Sequence, residues 1–272
     1  MADDALPFAR GPVAIAVIHL PPGPGTPSHP RTVAFDCDRE LELVAHEARL
    51  LGRAGFHALI VENYGDAPFL KERVEPHTVA RLALAARLAR LESGLPVGIN
   101  ALRNDASAAL GAAAASGAAF IRVNVHTGAM ITDQGWIEGR AGATLRYRVA
   151  LDARIAILAD VHVKHAVPVP GADLVRDARD AAERGRADGL ILSGPATALP
   201  ADRRAVLRVR RALPGVPLFV GSGVTAVSAA HWLDTARGVI VSSALRVGGR
   251  PGAPLDAPRL GRFATALRRL RA

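Results

Sequence analysis

The sequence predicts a single (β/α)8 barrel, and three observations carry that prediction. Short apolar runs alternate with Ala/Leu/Arg-rich helical segments along almost the whole chain. There are eight such runs, which suits one closed barrel in a chain of 272 residues. Nearly every run ends on a polar residue, as strands do where they reach the C-terminal rim of such a barrel.

The strands are expected at 13–19, 58–63, 97–100, 120–124, 155–161, 189–192, 218–221 and 238–241. Most are apolar on both faces, which argues for a parallel sheet buried on both sides. Helices are expected near 40–54, 76–93, 105–116, 143–152, 173–186, 202–213, 224–234 and 258–271. The whole of 1–272 is read as one domain. Residues 126–142 form a long loop after the fourth strand, with Gly128, Gly135 and Gly139 and the polar Thr127, Asp133 and Gln134. Its length exceeds an ordinary βα connection and marks a flap over the mouth. A doubly wound open sheet is the alternative architecture, but no Gly-rich dinucleotide fingerprint follows the first strand.

Half of the residues are hydrophobic and 4% are aromatic, so the core must be built from Ala, Val, Leu and Ile. One cysteine, Cys37, excludes an intrachain disulfide and suits a reducing compartment. The start, Met1-Ala2-Asp3-Asp4, has no signal-peptide pattern. The most apolar run, 106–121, is too short and too rich in Ala and Gly to span a bilayer. These features point to a cytoplasmic protein with no membrane insertion. The net charge of +9 raises the question of nucleic acid. Its arginines, however, are interleaved with acids or clustered at 203–211 and at Arg268, Arg269 and Arg271, with no aromatic residues between them. A solvated arginine face is the reading, with no nucleic-acid partner.

Of the 34 Lys plus Arg, only Lys71 and Lys164 are lysine. A lysine retained in an arginine-rich chain points to a need for a compact ammonium, or for an amine that can lose its proton. Lys164 lies in Ala159-Asp160-Val161-His162-Val163-Lys164-His165, where an apolar strand meets ionisable groups. In extended chain Asp160, His162 and Lys164 share one face. With Glu62 they are the candidate catalytic residues, and Lys164 could form a Schiff base or exchange protons. An ion pair that merely ties Lys164 to Asp160 or Glu62 is the plain structural alternative. A divalent metal is a second option, for which Glu62, Asp160, His162 and His165 offer mixed oxygen and nitrogen ligands without a recognised metal spacing. No cofactor is otherwise indicated.

The remaining strand ends supply binding groups. His19, Asn63, Asn100, Arg103, Arg122, Asn124, His126 and His165 are candidates for orienting a substrate, while Asn104 or Asp105 could cap the following helix. Arg122 needs a partner inside a barrel strand, either an anionic ligand or a neighbouring Glu62 or Asp160. Near the end, Gly221-Ser222-Gly223 follows the seventh strand and precedes a helix, a setting that places backbone N–H groups around an anion. Ser193, Gly194, Ser242, Ser243 and Arg246 could add to such a phosphate site.

Several long motifs resemble the BtpA family: Ile18-His19-Leu20-Pro21-Pro22-Gly23-Pro24-Gly25, Val61-Glu62-Asn63-Tyr64-Gly65-Asp66-Ala67-Pro68-Phe69, Pro96 to Asp105, Phe120 to Gly128, and Ala159 to His165. The resemblance runs from about residue 13 to 263. It implies a barrel of the ribulose-phosphate-binding class, and a homo-oligomer. The chain departs from the family pattern at Arg237, where the family commonly has Asp. It departs also at Ser242-Ser243, where the family has Gly then Thr or Ser, and at Arg246, which replaces a Lys.

The residues point to an enzyme acting on a small phosphorylated metabolite, a sugar phosphate or nucleotide-like compound, by isomerase, aldol-type lyase or hydrolase chemistry. The family takes its name from a photosystem I biogenesis factor, so the alternative is a non-catalytic assembly factor. That alternative needs a broad apolar surface, and no segment of the sequence advertises one.

Overall fold

The computed structural model describes residues 6–8, 11–30 and 32–271. The acidic N-terminal tetrapeptide lies outside them. Eight parallel strands close into a barrel: β1 (Val13–His19), β2 (Ala58–Glu62), β3 (Val97–Asn100), β4 (Phe120–Val123), β7 (Ala156–Val161), β9 (Gly189–Ser193), β10 (Leu218–Gly221) and β11 (Gly238–Val241). Each pairs with its neighbours in chain order, and β1 pairs with β11 to close the ring. Eight helices accompany them: α1 (Cys37–Arg53), α2 (Pro76–Ser93), α3 (Ala106–Ser116), α4 (Ala141–Ala150), α5 (Leu174–Arg179), α6 (Arg203–Ala212), α7 (Ala229–Leu233) and α8 (Ala257–Arg271). Among the described residues, no helix is long and apolar enough to cross a membrane.

Alternation along the strands sorts the core into two clusters. Ala14, Ala16 and Ile18 of β1, Leu59 and Val61 of β2, and Ile157, Ala159 and Val161 of β7 face outward and pack against the helices. Val13, Ile15, Val17, Ala58, Ile60, Phe120, Leu158, Ile191, Phe219 and Ile240 fill the barrel interior. Phe8 meets Phe120 and Phe219 edge-on, with ring centroids 5.2 and 6.0 Å away, and so plugs the N-terminal floor. Gly98 and Gly238 make room for these rings: a Cβ at Gly98 would lie 2.2 Å from the Phe120 ring.

The same alternation carries His19, Glu62, Asn100, Arg122, Asp160, Ser193, Gly221 and Ser242 inward as the layer above that apolar plug. Register supports the ring, since His19 lies beside Glu62, Glu62 beside Asn100 and Gly221 beside Ser193. The strand pattern thus delivers a polar rim on an apolar floor.

The structure departs from the sequence reading in three elements. Residues 126–142 are not a bare loop: β5 (Ala129–Thr132) and β6 (Gly135–Glu138) form a hairpin, and β8 (Ala166–Pro168) adds to its free edge. The helix expected over 173–186 stops at Arg179 and continues as a π-helical turn, Asp180–Arg184. The helix expected over 224–234 shrinks to the five residues of α7. Thr225 and Ser228 hydrogen-bond one another ahead of it, which holds that stretch as a turn. Asp105, rather than Asn104, caps α3, accepting from Ala108 N at 2.9 Å.

Candidate functional site

The rim encloses a small cavity lined by His19, Glu62, Tyr64, Arg122, Lys164, Thr197, Ala198, Ser222, Gly223, Ser242, Ser243 and Pro251 above the apolar Val17 and Ile240. Its free space is about 30 Å³, room for about one water.

His19 and Glu62 form its first pair. His19 Nδ1 accepts from the Gly252 N–H at 2.9 Å, so the proton of the neutral ring sits on Nε2. That Nε2–H lies 3.1 Å from Glu62 Oε1 and 2.9 Å from Ser242 Oγ, shared between the two. Burial pushes the imidazole below its ordinary value against the pull of Glu62, consistent with the neutral ring. Tyr64 stacks on the His19 ring with centroids 4.4 Å apart. Burial acts to raise the Glu62 carboxyl. The hydrogen bond from His19 and the Lys164 and Arg122 charges overcome it, holding Glu62 down at about 2.

Arg122 and Asp160 form the second pair, a two-bond fork at 2.8 and 2.9 Å inside the barrel. Asn124 Nδ2 adds a third bond to Asp160, at 3.2 Å. Asp160 therefore answers the Arg122 charge, and its oxygens are engaged by protein donors. This corrects the expectation of a free catalytic carboxylate at 160.

Lys164 differs from both pairs. Its amine makes no hydrogen bond or ion pair with any described residue. Burial, helped by the Arg122 and Arg103 guanidiniums, pushes its pKa below the ordinary lysine value, although Glu62 and Asp160 pull the other way. The plain alternative, an ion pair to Asp160 or Glu62, is not what the structure shows.

The expected common face of Asp160, His162 and Lys164 does not form. β7 ends at Val161, and His162 and His165 take positive φ values of 52° and 56°. The chain swings so that Val163 packs under the hairpin with Val125, Met130 and Ile137, and Lys164 returns to the mouth. His162 turns outward and meets Asp177 of α5 at 2.8 Å. His165 hydrogen-bonds Thr197. Glu62, Asp160, His162 and His165 consequently do not converge. No cluster of three or more His, Cys, Asp or Glu among the described residues is placed to hold a metal ion.

Other expected binding groups turn out to be stitching. Asn63 bonds Leu102 and Asp66. Arg103 donates to the Lys164 carbonyl at 2.8 Å and so positions that segment. His126 is buried beneath the hairpin and reaches the Gly185 carbonyl at 2.8 Å. Arg246, expected at a phosphate, is almost wholly buried in a fork with Glu47 and also donates to the Val17 and Ala253 carbonyls. It has no freedom to grip a ligand. Asn100 does sit on the rim, with Nδ2 3.3 Å from Glu62 Oε2 and its Oδ1 without a partner.

In the other half of the rim, Ser222, Gly223, Ser242 and Ser243 face the cavity. Ser222 and Gly223 both take left-handed backbone, φ 67° and 62°, which turns the chain sharply over the mouth. Gly221, Ser193 and Gly194 stand behind them. Ser193 Oγ is buried without a partner, and Gly194 packs on the backbone of Leu199 and Pro200. No helix start backs this turn, since α7 begins only at Ala229. Arg237 directly precedes β11 and lines a hollow at the floor, away from the mouth. Sequence reasoning missed Tyr64, Thr197, Ala198 and Pro251. Tyr64 was within reach, as one of only two tyrosines and two places after Glu62. The loop residues gave no signal.

Known proteins support this placement of the chain. The photosystem I biogenesis protein BtpA of Synechocystis is 43% identical over 93% of this chain and 87% of its own. An uncharacterized protein of Pyrococcus horikoshii is 38% identical over 94% of this chain and 96% of its own. Phosphoribosyl anthranilate isomerase from Thermus thermophilus superposes with a TM-score of 0.57, covering 95% of this chain and all of that one. At 13% identity that likeness speaks for the fold alone, a closed (β/α)8 barrel. The family model for BtpA matches residues 10–269, and the chain belongs to the BtpA family.

Proposed function

We propose that the protein is an enzyme acting on a small phosphorylated metabolite, a sugar phosphate before a nucleotide, at the C-terminal mouth of the barrel. The observation that carries this reading is one shared cavity. It sets the unpaired Lys164 amine, the Glu62 carboxylate and the Ser222-Gly223 turn around the same space. A half-buried amine with no anion in hydrogen-bond contact favours an anionic ligand, and a phosphate is the anion that matches an ammonium beside small residues and hydroxyls. The phosphate end would lie against Ser222, Gly223 and Ser243. Glu62 and the neutral His19 would exchange protons at the carbon end, and Lys164 would serve as amine or as proton carrier. Tyr64, stacked on His19, offers a base at most its other face. Isomerase, lyase and hydrolase chemistry all use these groups.

The cavity is closed too tightly for such a ligand, so entry must displace a cover. Thr197 is the nearest candidate, held only by His165 through Nε2 contacts of 2.7 and 3.2 Å. Thermal unfolding against sugar phosphates, nucleotides and inorganic phosphate tests the reading. A saturable rise with a sugar phosphate that is lost in Ser222→Asp is expected. No rise with any phosphorylated compound would overturn it. Turnover, once a substrate is in hand, should vanish in Lys164→Arg if an amine is required.

A second reading, an assembly factor acting through a partner surface, has one observation in its favour. Val167, Ile131 and Trp136 lie in register across β8, β5 and β6 and are 64%, 40% and 46% exposed. This apolar row went unseen in the sequence. Ile131→Ser/Trp136→Ser should abolish partner or self-association on this reading, while leaving ligand binding at the mouth unchanged.

A further inference from the structure

Behind the mouth lies a second pocket that the proposed reaction does not use. It opens between the base of the β5–β6 hairpin, the ends of β4 and β7, and the π turn after α5. Its free space is about 90 Å³, about three waters' worth. The Arg122–Asp160 fork is the wall between the two: Arg122 lines the mouth and Asp160 lines this pocket.

One residue of the pocket lining carries an unanswered acceptor. Asn124 is 3% exposed, and its Nδ2 is fixed on the Asp160 carboxylate. A carboxylate cannot accept from an amide oxygen, so the orientation of the amide is settled, and its Oδ1 is left buried without a partner. A buried carbonyl oxygen without a donor is uncommon and costs free energy unless something fills the space. Other polar groups of the lining are mostly acceptors too. Asp177 is engaged by His162 and Arg176, and Asp180 stands half-exposed at the rim. Asp160 is answered by Arg122 and Asp177 by Arg176, which leaves Asp180, loosely paired with Arg184 at 3.9 Å, as the carboxylate nearest to free at the pocket edge. Its walls are otherwise small and apolar, from Val125, Met130, Val161 and Ala181.

We infer that this pocket is a ligand subsite for a hydrogen-bond donor on a short carbon chain, a hydroxyl or a primary ammonium, which donates to Asn124 Oδ1. An anionic head is excluded by the same chemistry, because it would bring lone pairs to a lone pair. The π turn contributes by placing Asp180 and Ala181 at the pocket edge, and such turns are frequent at binding sites. This inference stands apart from the phosphate reading, since its probes carry no phosphate.

The test uses ethylammonium, ethanol and acetate, nearly equal in size, titrated into the full-length protein. The readouts are the Asn124 side-chain amide and the Thr127 and Gly128 backbone amides in ¹⁵N NMR. Saturable shifts are expected with ethylammonium and ethanol and not with acetate. Asn124→Leu should weaken both by about tenfold, the worth of one buried hydrogen bond. Ala129→Leu, which fills the pocket from the hairpin, should abolish both and covers the case that Asn124→Leu does not fold. Asp180→Asn should weaken ethylammonium alone, which separates the ammonium from the hydroxyl. Ser222→Asp at the mouth should change none of these shifts. Binding of acetate as tight as that of the other two, or no saturable shift with any probe, would overturn the assignment.

Discussion

The two halves of the rim are built on opposite principles. From β1 to β7 it carries His19, Glu62, Asn100, Arg122 and Asp160, tied to one another by short polar contacts. From β9 to β11 it carries Ser193, Gly221, Ser222, Gly223, Ser242 and Ser243, with no ionisable side chain among them. Both halves sit at the same height on the same barrel, so the difference lies in the residues and not in the fold. One half holds charge that must be balanced internally. The other holds space and backbone, and can shape a ligand's contact without titrating. Lys164 hangs between them, and its amine makes no hydrogen bond or ion pair with any described residue.

Breaking the charged half should have the largest effect. Asp160→Ala leaves the Arg122 guanidinium buried, 5% exposed, with no counter-charge. Loss of one partner of such a pair costs about 3–5 kcal/mol. Urea unfolding would show it, and Arg122→Leu/Asp160→Leu should recover most of the loss. A single-variant loss below about 1 kcal/mol would mean that water reaches Arg122.

The small half breaks by volume instead. A Cβ on Gly223 would stand 2.4 Å from the Pro200 backbone nitrogen, on a residue with φ of 62°. Gly128 has a similar φ of 67° but open space around it. Gly128→Ala should cost about 1–2 kcal/mol from backbone conformation alone, and Gly223→Ala about 2–4 kcal/mol once overpacking is added. Equal costs would show that the loop carrying Pro200 yields freely.

Acid should separate the halves next. The folded Glu62 carboxyl lies at about 2, below its ordinary 4.5. The unfolded chain therefore takes up the proton first, and the stabilisation is full above about pH 4.5 and drains as pH falls through 2. His19, lowered from 6.5 by burial, works in the same direction from pH 6.5 downward. Glu62 alone should give about 2 kcal/mol of this acid limb by pH 3, a share that Glu62→Gln removes and Ser243→Ala leaves in place, while the His19 share persists. Urea midpoints from pH 7 to pH 3 would report it, and an unchanged limb in Glu62→Gln would place the titration elsewhere.

Almost the whole barrel was legible in the sequence, because strands buried on both faces read as unbroken apolar runs. β5, β6 and β8 were not, being three or four residues long, partly exposed and polar in part. The rim was legible through simple alternation, and alternation fails where a backbone leaves the extended region. The positive φ at His162 sent that side chain to Asp177 and not to the mouth. Arg246 was misread for a different reason. Its partner Glu47 is 199 residues away, and no local pattern records such a pairing.

The smallest expected effect is the most informative about how the halves communicate. Ser242 belongs to the small half, yet its Oγ shares the His19 Nε2–H with Glu62. Ser242→Gly removes that hydroxyl and leaves the donor to Glu62 alone. Its stability cost should stay within about 1 kcal/mol, since Glu62 can keep the donor that Ser242 gives up. The His19 pKa, followed by NMR titration, should rise toward its ordinary value. An undivided bond to a carboxylate favours the imidazolium more than one shared with a hydroxyl. The His19 share of the acid limb would still begin at pH 6.5 but would level off at the higher folded value, and so become smaller. An unmoved His19 would mean that the small half is electrostatically silent, and that the proton position in the mouth is set by Glu62 and the Gly252 N–H alone.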